Sequence, residues 1–370
     1  MVILDVRFDN FYAFKNFHMN LTYPKKIVGS SIAEEHLEGR PNFRYKKVNI
    51  IMGGNASGKT TFGRMLMKIF NFIEKKNYEL LAEAINDRNQ EAAFSVDMVV
   101  KSNFLYRVTC IIAPSDEGSY TPDHFALEIR KERIAAGDSY ESCVKKLEDA
   151  NYEPAGNYIE ELKKIERLDW MFEYPEDTMR TLVLPDKDEK FRAVLENILK
   201  ALDPSILAVE ISKEIKRAYV IRLSNSDVVL QHGERFTTTV LSSGTKAGVE
   251  VAGVISSLMQ GHVSFCYCDE KFSYIHSDVE RATLSLMIEL LRPNCQLFFT
   301  THNTDILEMN LPKHSFTFLR KNTENAECPI TSVEASSLLK RNTDSLKNAV
   351  ENDLFSCAPV VDLIYAIADL

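Results

Sequence analysis

The segment GGNASGKT, residues 53–60, constrains the fold of this chain more than any other stretch. It matches the pattern GxxxxGK[ST] with its spacing intact. Glycines let successive backbone N–H groups turn inward around a phosphate, because they carry no Cβ. The motif therefore predicts a phosphate-binding loop made of Gly53, Gly54, Asn55, Ala56, Ser57, Gly58, Lys59, Thr60 and Thr61.

The residues that flank the loop supply the context this motif requires, a strand before it and a helix after it. YKKVNIIM is β-branched and apolar up to Met52, as expected of a buried strand. Apolar residues then recur at helical spacing from Phe62 to Ile73. The start of that helix would add partial positive charge beside the phosphates. We expect Lys59 to reach the β- and γ-phosphates and the Thr60 hydroxyl to ligate Mg²⁺.

A second apolar run, HVSFCYCDE, ends in two adjacent carboxylates, Asp269 and Glu270. Ligands of open α/β sheets bind beyond the carboxyl ends of the strands, which is where such a pair would lie. We expect Asp269 to support Mg²⁺ through a water and Glu270 to act as general base on the attacking water. Many strands end in acidic turns, so this motif gains its weight from the phosphate loop that precedes it.

Two further motifs fit a nucleotide site. LFFTTHNTDIL is an apolar strand followed by His302, which would hydrogen-bond the γ-phosphate; a capping or core histidine is the alternative. Ser242, Ser243 and Gly244 open a predicted helix whose N terminus would bind an anion; an ordinary serine N-cap is the alternative. A chain with one phosphate loop needs this second anion site only if two copies form a composite site.

The spacing of apolar residues divides the chain into four segments. Residues 1–133 hold the phosphate loop and three alternating runs that predict an antiparallel sheet, near 93–100, 104–112 and 125–130. In residues 134–204 the spacing of apolar residues predicts an inserted lobe of two or three helices. Residues 205–320 predict strands at 206–232 and then the strand–helix alternation of an α/β core. Residues 321–370 predict a tail ending in a short apolar helix with Pro359 near its first turn.

Composition and charge limit the class of protein. With 45% hydrophobic and 26% charged residues the chain is an ordinary globular one, and its net charge of -9 argues against a general nucleic-acid or membrane coat. Seven cysteines without a CxxC pair predict buried, reduced thiols and a reducing cytoplasm. No signal-peptide pattern opens the chain, and no run approaches the ~18 apolar residues of a membrane span. We expect a cytoplasmic protein with no membrane partner.

The order of the motifs is that of a known family. GGNASGKTT, LSSGTK, CYCDE and TTHN resemble the Walker A, signature, Walker B and switch-histidine motifs of ABC-type ATPases. The chain is similar to the RecF, SMC and OLD-like branch, and within it to stand-alone AAA-family ATPases of bacterial anti-phage defence. The opening VRFDNFYAFKNFHMNL and His276 also resemble that branch. The resemblance covers residues 1–130 and 205–320 well and the insertion poorly. It implies an α/β P-loop NTPase fold of ABC-ATPase type, with an antiparallel β subdomain and an inserted helical lobe.

The resemblance also implies cofactors and partners. ATP and Mg²⁺ would bind, and two copies would close head to tail around ATP as a homodimer or the unit of a higher homo-oligomer. Ser243 and Gly244 would cap the γ-phosphate held by the partner subunit, and His302 would sense it. The chain departs from the family in two places. No glutamine occurs from 91 to 230 to serve as the Q-loop glutamine, and Gln90 comes too early. The D-loop aspartate has no clear counterpart, with Ser277 or Asp278 in its place.

Three functions remain open on the sequence alone. The first is an ATP-hydrolysing switch of an anti-phage system that acts through a separate effector, since the residues after 320 leave no room for a nuclease domain. The second is a RecF-like DNA-repair ATPase that clamps DNA, which the acidic net charge supports poorly. The third is a nucleotide-gated scaffold with little turnover, favoured by the missing glutamine and opposed by the Asp269–Glu270 pair. A GTPase or small-molecule kinase would not require LSSG and TTH motifs in this order.

Overall fold

The computed structural model describes residues 1–101, 103–115, 119–152, 157–175, 181–235, 240–273, 275–322, 324–341, 344–357 and 362–369. The chain divides into two compact units. Unit 1 comprises Met1–Phe172, Ser264–Tyr267 and Pro293–Leu370, and unit 2 comprises Glu173–Val263 and Cys268–Arg292. The four segments proposed from the sequence stay a prediction.

The described residues form strands and helices in the following order. The strands are β1 (Val2–Asp9), β2 (Phe17–Asn20), β3 (His36–Leu37), β4 (Arg40–Arg44), β5 (Val48–Met52), β6 (Ala92–Val100), β7 (Phe104–Ile112), β8 (Phe125–Arg133), β9 (Trp170–Glu173), β10 (Ile206–Ile211), β11 (Ala218–Leu223), β12 (Asp227–Gln231), β13 (Phe265–Asp269), β14 (Gln296–Thr300), β15 (Phe316–Lys321) and β16 (Ile330–Glu334). The α-helices are α1 (Lys59–Lys75), α2 (Glu79–Ala82), α3 (Tyr140–Asp149), α4 (Tyr158–Leu162), α5 (Glu189–Leu202), α6 (Ser243–Gln260), α7 (Ser277–Leu290), α8 (Ala335–Leu338), α9 (Leu346–Glu351) and α10 (Asp362–Tyr365).

An antiparallel sheet of five strands, in the order β2-β1-β6-β7-β8, lies in unit 1. The three alternating runs of the sequence are β6, β7 and β8, so their prediction is confirmed. Helix α3 packs on this sheet, where Tyr140, Cys143 and Leu147 join a core that includes Val2 and Leu105. Strands β6, β7 and β8 alternate over part of their length between buried and less buried residues, as period-2 patterning predicts.

A second sheet has the order β16-β15-β5-β14-β13-β9. Strand β5 runs parallel to β14, with Thr300 opposite Ile51, and parallel to β15, with Phe316 opposite Ile50. All five residues of β5 and of β14 are buried, which explains their unbroken apolar runs. Because these strands are parallel, the segments that follow β5 and β14 leave the sheet at the same edge.

Helix α1 is anchored in unit 1 by the ring of Phe62, which is fully buried. The ring lies within aromatic contact distance of five others, with centroids 5.8 to 6.5 Å apart; they are Phe8, Phe14, Phe17, Tyr267 and Phe298. These rings come from β1, β2 and the segment between them, and from β13 and β14. One side chain of α1 therefore touches residues of both sheets.

Unit 2 contains the three-stranded antiparallel sheet β10-β11-β12. Strands predicted at 206–232 are therefore confirmed. Helices α5 and α6 bury Leu195, Leu199 and Ala252 in a common core with Val209 and Tyr219 of the sheet. The helix that begins at the serine-glycine turn thus packs firmly along its buried face.

Where two or three helices were expected in the segment 134–204, its described residues form α3, α4 and α5, and also the strand β9. Strand β9 was not predicted, because four residues among charged neighbours are too few to show a period. Helix α10 lies where a terminal helix was predicted, whereas Pro359 lies outside the described residues. Among the described residues, no helix has the length and apolar character needed to span a bilayer.

Candidate functional site

The loop between β5 and α1 requires glycine at specific positions. Gly53 has φ 151° and Gly58 has φ 103°, and both are conformations that side chains disfavour. A Cβ on Gly53 would lie 2.2 Å from the carbonyl oxygen of Leu319 and 2.7 Å from Ser57 Oγ. The loop therefore passes so close to β15 that no side chain fits at position 53.

The loop offers donors and little negative charge. Gly58 is the N-cap of α1 and has no side chain to occupy the first N–H groups, and the first helical turn has no acidic residue. The Lys59 ammonium donates to the carbonyl oxygens of Gly53, at 2.8 Å, and Gly54, at 3.2 Å. Within the part of the chain that is described, Ser57 Oγ is buried without a hydrogen-bond partner. An anion with several oxygens suits this arrangement.

His302 lies at the same sheet edge as the loop. Thr300, the last residue of β14, pairs with Ile51 of β5. His302 lies two residues after Thr300, and Gly53 lies two residues after Ile51. The His302 side chain is exposed. Asn303, not His302, caps the next short helix, since its side chain accepts the N–H of Asp305 at 2.9 Å. The capping alternative raised for His302 therefore does not hold at this helix.

The two adjacent carboxylates lie in unit 2 and differ in their surroundings. Asp269 ends β13 and is fully buried, whereas Glu270 is half-buried. Glu270 has φ 42°, a conformation that costs a residue other than glycine roughly 1–3 kcal/mol and recurs at functional sites. Its carbonyl oxygen accepts hydrogen bonds from the Ser273 N–H, at 3.1 Å, and hydroxyl, at 2.7 Å. A tight turn thus sets the direction of the Glu270 side chain.

The serine-glycine turn opens helix α6 in unit 2. Ser242 is the N-cap, and its hydroxyl accepts the N–H of Thr245 at 3.1 Å. The N-cap alternative therefore holds for Ser242 in the structure. Ser243 is exposed and Gly244 half-buried in the first helical turn, where their N–H groups begin α6. Their action on a nucleotide stays a prediction.

The predicted residues therefore fall into two sets, one in each unit. The loop and His302 share one edge of the sheet in unit 1, and the acidic pair and the serine-glycine turn belong to unit 2. The role of each set towards one nucleotide stays a prediction.

His276 caps α7 by accepting the N–H of Asp278 at 3.2 Å, and it is exposed. Gln90 lies just before β6, where its exposed amide donates to Asp87 at 2.9 Å.

Sequence reasoning missed Tyr267, which lies two residues before Asp269 on β13. Its buried hydroxyl donates a 2.7 Å hydrogen bond to the carbonyl oxygen of Lys59. A Cβ on Gly63, one turn further along α1, would lie 2.4 Å from the ring. A glycine in the interior of a predicted helix was the available signal, because such a glycine usually has a packing reason.

The contact of the C-terminal segment with the loop was also missed. Phe355 stacks on Phe318 of β15, with ring centroids 3.9 Å apart. Cys357 follows, its carbonyl oxygen 3.2 Å from where a Cβ on Gly54 would lie. Burial and the charge of Asp353 raise the pKa of the Cys357 thiol to about 11. The sequence gives no signal for this contact, because some 300 residues separate its partners.

A third missed residue is Lys271, which directly follows the acidic pair. Its side chain is buried and forms an ion pair with Glu250 of α6. The signal in the sequence was a lysine directly after the acidic pair in the run CYCDEKF. Lysine is almost never buried unless it is paired, so a buried lysine there predicts an acidic partner.

Comparison with known proteins bears on the fold. No family model and no curated protein matches the sequence. Among solved structures, the SMC head bound to the C-winged helix domain of ScpA has a TM-score of 0.54 and 12% identity, over 92% of this chain and 100% of that one. The SMC head domain with an extended coiled coil bound to the C-terminal domain of ScpA, derived from Pyrococcus furiosus, has a TM-score of 0.51 and 10% identity, over 91% and 98%.

The chain therefore has the α/β fold of P-loop ATPase heads of the ABC type, which confirms the predicted fold class. Both solved structures described above are head domains of SMC proteins. The TM-scores of 0.54 and 0.51 establish the fold, and at identities of 10 to 12% they establish the fold alone.

Proposed function

We propose that this chain binds ATP with Mg²⁺, hydrolyses it, and forms a head-to-tail homodimer while ATP is bound. The observation that carries the proposal is the loop of residues 53–61, where a buried strand meets a helix whose N-cap is glycine. The Lys59 ammonium donates to the loop's own backbone, and the Ser57 hydroxyl has no partner among the described residues. Phosphate oxygens would give Lys59 a stronger partner and would give Ser57 a partner.

The protein groups near a metal would be few. Among the described residues, no cluster of three or more His, Cys, Asp or Glu side chains could hold a metal ion. Mg²⁺ suits such a site, because it usually binds one or two protein oxygens together with substrate phosphates and water. The Thr60 hydroxyl, and Asp269 through a water, would hold it. When bound, Mg²⁺ offsets the negative charge of the triphosphate.

Glu270 would act as the general base. Its carboxylate would accept a proton from a water whose oxygen attacks the γ-phosphorus, while the bond to the β–γ bridging oxygen breaks and ADP leaves. The turn at Glu270, closed by Ser273, supports this role because a general base must be held in position. His302, at the same sheet edge as the loop, would hydrogen-bond the γ-phosphate.

Dimerisation would follow from the turn at the start of α6. Ser243, which is exposed, and Gly244, which is half-buried, lie in the first turn of an eighteen-residue helix, where backbone N–H groups have no partner within the helix. They would bind the γ-phosphate held by a second copy, so the closed dimer would be stable only with ATP. Hydrolysis would then shift the population towards open monomers.

The biological setting we propose is bacterial anti-phage defence through a separate effector chain. The motif order supports it, because it resembles the stand-alone ATPases of such systems. The SMC heads of similar fold were solved with a domain of ScpA bound, so this fold accepts a partner domain. Near the C terminus, the exposed apolar side chains of Ile364, Tyr365 and Ile367 offer a surface for such a partner.

Steady-state ATP hydrolysis by the wild type, Lys59→Ala and Glu270→Gln tests the proposal. We expect Lys59→Ala to lose ATP binding, and Glu270→Gln to bind ATP, to lose at least about a hundredfold in kcat, and to accumulate as dimer. Light scattering with and without ATP and Mg²⁺ measures the dimer. Equal, near-zero rates for wild type and Glu270→Gln would instead assign a scaffold. A Glu270→Gln protein that stays monomeric with ATP would contradict the dimer.

A further inference from the structure

The ion pair between Lys271 and Glu250 lies between two elements of the proposed site. The Lys271 side chain is 1% exposed and that of Glu250 is 24% exposed. The Lys271 ammonium also donates a 2.7 Å hydrogen bond to the carbonyl oxygen of Tyr174. All three residues belong to unit 2. Lys271 thus joins the turn that carries Glu270 to helix α6.

Burial makes the two charges depend on each other. Taking an ion out of water costs several kcal/mol, which an opposite charge and hydrogen bonds must offset. If α6 moved away from the turn, the Lys271 ammonium would lose its opposite charge in a buried place. An exposed ion pair would separate at little cost. The pair therefore resists relative movement of α6 and the Glu270 turn.

Each end of this link reaches a predicted site residue. Lys271 is the next residue after Glu270, so anchoring its side chain fixes the peptide on one side of the Glu270 Cα. The Ser273 bonds to the Glu270 carbonyl fix the same turn. At the other end, Glu250 is seven residues beyond Ser243, about two helical turns along α6. A helix that packs as one piece connects the serine-glycine turn to the pair.

We propose that Lys271 is a positioning residue that couples the serine-glycine turn to Glu270. The inference rests on the proposed function. When a second copy brings its ATP to Ser243 and Gly244, α6 shifts as a unit, and Glu250 carries Lys271 and the adjacent Glu270 with it. The turn, with the Glu270 side chain held in its direction, then comes within reach of the attacking water only when the composite site closes, which prevents hydrolysis by the open monomer.

Kinetics of variants at both positions test this coupling. Lys271→Met and Glu250→Gln should each lower kcat about tenfold or more, with the Kd for ATP within about twofold because the phosphate loop is untouched. The double variant should be no worse than the poorer single variant, since both remove one interaction. Lys271→Arg keeps the charge and should retain most of kcat. Lys200→Met, which removes an exposed pair with Glu196, is the matched control and should leave kcat unchanged.

The outcomes separate the inference from the function on which it rests. If Lys271→Met keeps kcat within about twofold while Glu270→Gln is inactive, the coupling is wrong and the ATPase stands. If the single effects multiply in the double variant, the two residues act independently and the coupling is also wrong. If wild type and Glu270→Gln are equally inactive, both hydrolysis and the coupling are wrong, and the result assigns a scaffold.

The charge exchange Lys271→Glu with Glu250→Lys covers the case in which Lys271→Met does not fold, as judged by circular dichroism. The exchanged pair should recover part of the kcat that Lys271→Glu alone loses. No recovery, in a protein with wild-type thermal unfolding, would overturn the coupling.

Discussion

The hydroxyl of Tyr267 donates a hydrogen bond to the backbone carbonyl of Lys59 over 2.7 Å, in a site closed to water. Tyr267 belongs to β13, and Lys59 is both the loop lysine and the first residue of α1. A strand end and a helix start are therefore held in fixed register. The backbone of the loop lysine is therefore held in position by a residue 208 positions further along the chain.

Replacing Tyr267 by phenylalanine removes the hydroxyl and this hydrogen bond but keeps the aromatic ring. We expect Tyr267→Phe to lower the free energy of unfolding by about 1 kcal/mol and to weaken ATP binding, because the first turn of α1 loses a fixed contact. Urea unfolding and titration with a fluorescent ATP analogue measure the two effects. Tyr106→Phe is the matched control: among the described residues, the Tyr106 hydroxyl is buried without a partner, so its removal should cost nothing. Equal stabilities of the two variants would contradict the prediction.

Two helix glycines should respond to alanine in opposite directions. Gly63→Ala in α1 would place a Cβ 2.4 Å from the Tyr267 ring, so we expect a loss of about 1–3 kcal/mol from overpacking. Gly253→Ala in α6 meets nothing within 4 Å and should stabilise the protein by about 0.5–1 kcal/mol, since alanine favours the helix. Thermal and urea unfolding measure both. A stabilising Gly63→Ala would show that the ring moves aside freely.

Gly53→Ala should abolish ATP binding in a protein that still folds. The added Cβ would lie 2.2 Å from the backbone oxygen of Leu319, which cannot move without β15, so the loop itself must shift. Calorimetric titration with ATP and Mg²⁺ measures the loss, expected to exceed about a hundredfold in Kd. Gly137→Ala, at a site with open space around it, should bind ATP normally. Normal binding by Gly53→Ala would place the nucleotide elsewhere.

The thiol of Cys357 should react slowly and in a pH-dependent way. Burial, followed by the Asp353 charge, raises its pKa from 9.0 to about 11, so its thiolate, the reactive form, is about a hundredfold scarcer at neutral pH. Iodoacetamide labelling read peptide by peptide should be slower than in urea by that factor. Because raising the pH populates the thiolate, the folded rate should rise about tenfold per pH unit up to pH 10. Labelling at the same rate in folded and unfolded protein would contradict burial of this thiol.

Local patterns in the sequence predicted the parts of the fold that local physics decides. Alternation placed β6 to β8, and glycine spacing between an apolar strand and an amphipathic helix placed the loop of residues 53–61. Asp269 is the last residue of β13 and His302 follows β14 by two residues, as the apolar runs indicated. These features depend on neighbours a few residues apart, which is what periodicity reads.

The contacts that were missed join residues far apart in the chain. From the sequence alone, Glu250 looks like an ordinary surface residue of a helix, because nothing local indicates its ion pair with Lys271. In the same way, no sequence feature connects Cys357 with Gly54. The short strand β9 depends on a sheet edge supplied by other segments. Such contacts are decided by tertiary packing, which overrides local preference.

The five rings around Phe62 have a consequence for how this sequence can change over evolutionary time. Any replacement at position 62 alters the space available to Phe8, Phe14, Phe17, Tyr267 and Phe298 together. A smaller residue there would be tolerated only alongside enlargement elsewhere in the group, since cores keep their total volume. In descendants of this chain these six positions should drift as a correlated set, although they span almost three hundred residues.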